Sequence, residues 1–157
     1  MTTLTKATIG NAVPLFIRDV LRQNLTDPSS RSSPSSWIFK SNPTKDDLTA
    51  TKSPRVVITL EDSRNRNIDM AGSKYINESM SIEIEVVSTK IVDRDTVSDQ
   101  IISVLQVQTS TDGTNTIRSQ HIKLKDISQM NDDEYTGSIP EIIYRKIIRA
   151  TFSYYGT

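Results

Sequence analysis

The chain has 157 residues, 35% hydrophobic, 24% charged and 6% aromatic, with Lys+Arg 19 against Asp+Glu 19 and a mean hydropathy of -0.40. That length favours one domain, 1–157, around a single core, and the low apolar share predicts a modest core with much loop. Zero net charge gives no electrostatic reason to expect DNA or an acidic membrane as partner, and the lack of cysteine excludes disulfides and thiolate chemistry.

Met1–Asn11 has no charged n-region leading into an apolar stretch, so no secretory signal is expected. The apolar runs fall far short of the ~20 residues of a membrane-spanning helix. A soluble protein, made in a cytoplasm, is the expectation. The sequons Asn24-Leu25-Thr26 and Asn77-Glu78-Ser79 then read as chance.

Ile9, Val13, Phe16, Ile17, Val20 and Leu21 fall on one helical stripe, which predicts a helix over Ala12–Asn24 with Pro14 in its first turn. Asp27-Pro28 ends it. Thr26–Pro54 holds four of the six prolines and many Ser and Thr, so it is expected to lack the means to order itself. Trp37-Ile38-Phe39 interrupts it as a short strand. Those residues are either a latch onto the core, the favoured reading because aromatics mostly end up buried, or an exposed anchor for a partner.

Arg55–Glu61 is β-branched and reads as a strand. In Met80–Val86 every even position is apolar while Ser81, Glu83 and Glu85 alternate with them, the period of a half-exposed strand. Between them Asp62–Ser79 reads as a long hairpin loop, functional or mobile, carrying Arg64, Arg66 and Lys74. The period then switches to 3.6 over Asp93–Gln108, a helix whose Asp93 and Asp95 are expected to satisfy first-turn amides. Ile122–Lys125 offers a further strand and Gln129–Pro140 a polar loop. Glu141–Tyr155 is the clearest strand, with Lys146 alone out of pattern on its apolar face. Ile143 and Ile147 lie on its other face, a hint that this face is covered, as by another subunit. The order α-β-β-β-α-β-β predicts an α+β fold, a largely antiparallel sheet of four to five strands packed by two helices.

Nothing in this pattern makes a credible active site, so no catalytic, cofactor-binding or metal-binding residue is assigned. His121 is the lone histidine, which rules out a histidine metal cluster and leaves any triad resting on one residue. Glu83 and Glu85 on one strand face, and Asp132-Asp133-Glu134, read better as solvated acids than as a carboxylate pair or a calcium loop. Gly72 and Gly113 stand alone, with no phosphate loop. Arg64, Arg66 and Lys74 are the only basic set suggestive of nucleic acid, and a loop with three charges is usually only a soluble loop.

The succession of an amphipathic helix (Ala12–Asn24), a polar stretch, a long-tipped hairpin (Arg55–Val87), an acid-capped helix (Asp93–Gln108) and a final hairpin running to Tyr155-Gly156 resembles the tail terminator, or tail-completion, proteins of long-tailed phages and related archaeal viruses. The resemblance spans Ile9 to Gly156 in element order and length. It implies a virion structural protein without a cofactor, assembled as a hexameric ring on the head-proximal end of the tail tube. There it ends tube growth and joins the tail to the neck and head-completion proteins. On this reading the Asp62–Ser79 loop contacts tail tube or neighbour, and the Ile143/Ile147 face lies at a subunit interface. Another neck or connector protein, or a small nucleic-acid- or peptide-binding module using the Arg64–Lys74 loop, are the alternatives.

Overall fold

The computed structural model describes residues 9–40, 52–67, 75–106, 122–137, 139 and 141–156. Helix α1 spans Ile9–Asn24, strand β1 Ile38–Phe39, β2 Arg55–Asn67, β3 Tyr75–Ser88, helix α2 Ile91–Gln106, β4 Ile122–Asn131, β5 Glu134–Tyr135 and β6 Ile142–Gly156. The fold is α+β, as the alternation of periods predicts. The sheet has six strands rather than four to five, in the order β1-β2-β3-β6-β4 with β5 also on β6, and every pairing except β1 with β2 is antiparallel. The extra strand comes from Gln129–Pro140, expected as a loop. Glu134 and Tyr135 pair with Ile143 and Ile142 in the same register that sets Asn131 against Lys146, so β5 continues β4 as one arm of a hairpin. Backbone pairing needs no apolar side chain, which is why this polar stretch gave no strand signal.

The second correction is to the hairpin. Asp62–Ser79 is not a loop: β2 runs to Asn67 and β3 starts at Tyr75, leaving only 68–74 between them. Register shifts between Leu60 and Asp62 and between Arg64 and Asn65 accommodate this polar stretch. At each shift one strand carries an extra residue, which breaks the alternation and hides the strand from a period-2 search.

Both helices lie on one face of the sheet. Val13, Phe16, Ile17, Val20 and Leu21 of α1 and Val97, Ile101 and Leu105 of α2 are buried against Val56, Ile58, Met80, Ile82, Ile84, Val86, Ile148, Ala150 and Phe152. Helix α1 begins at Ile9, so Pro14 sits inside it rather than in its first turn. There it removes the bond its own nitrogen would have made, and its ring crowds the carbonyl one turn earlier.

Trp37 and Ile38 are buried, at 1% and 0% exposure, so Trp37-Ile38-Phe39 is a latch and not an exposed anchor. Much of the Ser/Pro-rich segment is ordered with it, contrary to expectation. Arg31 grips Asp27 at 2.6 Å, donates to the Pro54 carbonyl at 2.8 Å and lies over the Trp37 ring at 5.4 Å. Arg22 donates to the Ile38 carbonyl at 2.7 Å and ties the latch to α1. A segment with few apolar residues is held here by two arginines reaching across it.

Candidate interaction surface

The sheet face away from the helices is an ion lattice. Arg149 holds Glu83 at 3.1 Å and Glu61 at 3.3 Å. Arg145 approaches Glu85 at 2.7 Å, Asp132 at 3.3 Å and Glu134 at 3.4 Å. The alternating glutamates of β3 thus have cross-strand partners supplied by arginines of β6. Carboxylates outnumber guanidiniums in both groups. Burial and the neighbouring Glu83 push the Glu61 carboxyl above its usual value, against the pull of Arg149.

Ile147 lies within this lattice, opposite Glu85 on β3 and Met130 on β4, and Ile143 lies opposite Glu134. Both are half-buried within the subunit itself. Arg64 and Arg66 sit in β2, paired with Ser79 and Ile76; their side chains, and the whole of Lys74 and His121, lie outside the described residues. Arg64 stands level with the stretch of β6 near Ser153. At ~3.3 Å per residue that puts the backbone of Arg64 roughly 20 Å along the strand from Ile147.

A different surface stands out at the other end of β6. Ile91 (46% exposed), Val92 (68%), Tyr135 (74%), Ile139 (97%) and Ile142 (38%) are large apolar side chains left in water. Ser88 pairs with Tyr144, which brings the first turn of α2 beside the β5–β6 hairpin, so these residues share one end of the molecule. Tyr135 and Ile142 are directly paired, and the Thr136 N–H donates to the Glu141 carbonyl at 2.8 Å to close the turn that carries Ile139. Exposed large apolar side chains gathered at one end are the kind of feature that marks an interaction site.

That end is rigidly held. Arg94, only 2% exposed, donates to Asp133 at 2.6 Å and to Asp95 at 2.9 Å, with its guanidinium 5.8 Å from the centre of the Tyr144 ring. Burial works against the Arg94 charge, and the two carboxylates overcome it and raise its affinity for the proton. Asp133 also accepts from the Arg145 backbone N–H at 3.0 Å, so one carboxylate joins helix to hairpin. Lys146 explains its own irregularity: from the apolar face of β6 it reaches Asp95 at 2.8 Å. The hydrogen bond from Lys146, helped by Arg94 and opposed by desolvation, holds Asp95 below the usual carboxylate range. Asp95 is thus turned to cations, whereas the sequence suggested that it would bind helix amides. The turn from β3 into the helix is held by Ser88, whose hydroxyl accepts from the Lys90 N–H at 3.0 Å.

The sequence reading missed this surface because its residues come from two separated segments, and Ile91, Val92, Tyr135 and Ile139 fall outside the periodic patterns read there. The signal available was Arg94 on an otherwise apolar helix stripe together with Lys146 on an otherwise apolar strand face. Two cations aimed at one core imply acids waiting there.

Among the described residues, no group of three or more His, Cys, Asp or Glu side chains is placed to hold a metal ion, and no helix is long and apolar enough to cross a membrane. No protein-family model and no curated protein matches the chain.

Proposed function

We propose that this chain is a virion structural protein that forms a ring, hexameric by resemblance, at the head-proximal end of a viral tail tube. It ends tube growth and joins the tail to the neck and head-completion proteins. The observation that carries a binding role is the exposed apolar end formed by Ile91, Val92, Tyr135, Ile139 and Ile142. It lies at a strand end, so a ring whose axis follows the strands would present it as an annulus on one flat side. That is where a stacked partner docks. The order of helices and strands, resembling that of tail terminators, supports the specific role. The two unlike sheet edges suit the unlike contacts of a closed ring.

The test is native mass and negative-stain imaging of the purified protein, alone and with tail tubes. Rings that cap tube ends are the expected result. A monomer that ignores tubes overturns the reading. Rings that bind neck components and leave tubes growing would move the protein to a connector role.

A further inference from the structure

The sheet ends in two edges that differ. On one side lies β4, which among the described residues pairs only with β6. On the other, β1 covers β2 only at Val56 and Val57, and among the described residues no strand pairs with that edge from Ile58 to Asn67.

Following the register across the sheet shows the two edges to be matched in height. One row runs Phe39, Val57, Glu85, Ile147, Met130, and another runs Asp62, Ser81, Thr151, Asp126. Just beside the second row each edge strand carries a residue outside the pairing, Glu61 on β2 and Lys125 on β4. Each edge therefore offers an apolar side chain at one level, half-buried Phe39 on one and Met130 (49% exposed) on the other. At the next level each offers charge: Glu61 and Asp62 on the β2 side, Lys123 and Lys125 with Asp126 on the β4 side.

The directions also agree. Every pairing from β2 through β3 and β6 to β4 is antiparallel, so β2 and β4 run opposite ways. Rotation about an axis along the strands preserves each strand's direction. Hence β4 of one copy set beside β2 of the next is an antiparallel pair.

We propose that a second copy of this chain is the occupant of these edges. Strand β4 of one subunit pairs with the edge of β2 beyond Val57 in the next, with Met130 against Phe39 and the lysines of β4 against Glu61 and Asp62. The inference rests on the ring reading above and names the contact that builds it. Bulges and charges on a sheet edge ordinarily discourage indiscriminate pairing, and here they select one partner edge. Asp126 shares the row of Asp62, so it disfavours a flush register, and a slide of one residue brings Lys125 there instead.

Two double variants test this, Lys123→Glu with Lys125→Glu and Glu61→Lys with Asp62→Lys, made in the full chain and checked for native circular dichroism. Each alone is expected to associate at least about tenfold more weakly than the wild type, as several lost cross-strand charge pairs imply. An equimolar mixture should regain the wild-type native mass, because each lysine-bearing edge again meets an acidic one. Recovery on mixing also shows that both variants are folded. Met130→Asp, which removes no ion pair of the lattice, should weaken association as well. A wild type that stays monomeric at every concentration overturns the proposal, as do variants that assemble normally or a mixture that fails to recover. Rings that cap tubes but ignore these changes would remove this contact and leave the terminator reading standing. Edge-dependent oligomers that ignore tubes would do the reverse.

Discussion

A guanidinium as buried as that of Arg94 is stable only while its carboxylates are present. Asp133→Asn removes the shorter of its two ion contacts and weakens the acceptor for the Arg145 N–H, so it should lower unfolding free energy by about 1–3 kcal/mol in chemical denaturation. Asp27 sets a pH dependence. Burial opposes its charge, but hydrogen bonds from the Arg31 side chain and from the Ser29 and Arg31 backbone outweigh this and hold its pKa below the usual 3.8. A carboxyl depressed on folding contributes stability above its unfolded pKa, and that contribution is lost as pH falls through the folded value. The thermal midpoint of Asp27→Asn should therefore lie below that of the wild type near neutrality. The two should converge as pH drops below about 3.8.

Among the elements, β1 shows how little chain is needed to fix a segment poor in apolar residues. Two residues pair with β2, and Trp37 and Ile38 enter the core beneath Arg31. Trp37→Ala should cost about 3–5 kcal/mol, as large aromatic truncations in cores do, and amide exchange should rise first over residues 26–40. The β5–β6 hairpin makes the opposite case. Tyr135 and Ile139 are mostly in water, so Tyr135→Asp with Ile139→Asp should change stability by no more than about 0.5 kcal/mol per site. If that end docks a partner, the same double variant loses tube capping in negative stain while keeping its native mass. Loss of capping with loss of fold, read by circular dichroism, would mean that these residues are structural.

At the scale of the whole molecule, three kinds of surface have separated. The helix-covered face holds the core, and the opposite face spends its charge internally between β3 and β6. Among the described residues, the perimeter presents two matched sheet edges and one apolar end, the surfaces that the proposed ring would use. Side edges suit neighbours within a ring, and a strand end suits a stack. Assembly by the edges and docking by the end can thus fail separately, which is why the charge-swap variants and the Tyr135/Ile139 variant make distinct predictions.

Periodicity alone determined the two helices, the cores of the long strands and the α+β class. One-sided burial writes a period into the apolar residues, as in Met80–Val86 and along the stripe of α1. It also showed which residues broke the pattern, Lys146 among them. Only the tertiary structure decided what those breaks mean. Strand pairing through backbone groups leaves no mark on composition, so the extensions of β2 and β3 and the short β5 were invisible in the sequence. The Arg94–Asp133 bond joins residues 39 positions apart, and the apolar end gathers side chains from either side of it. Contacts between distant segments are fixed by how layers dock, and no local pattern encodes that docking.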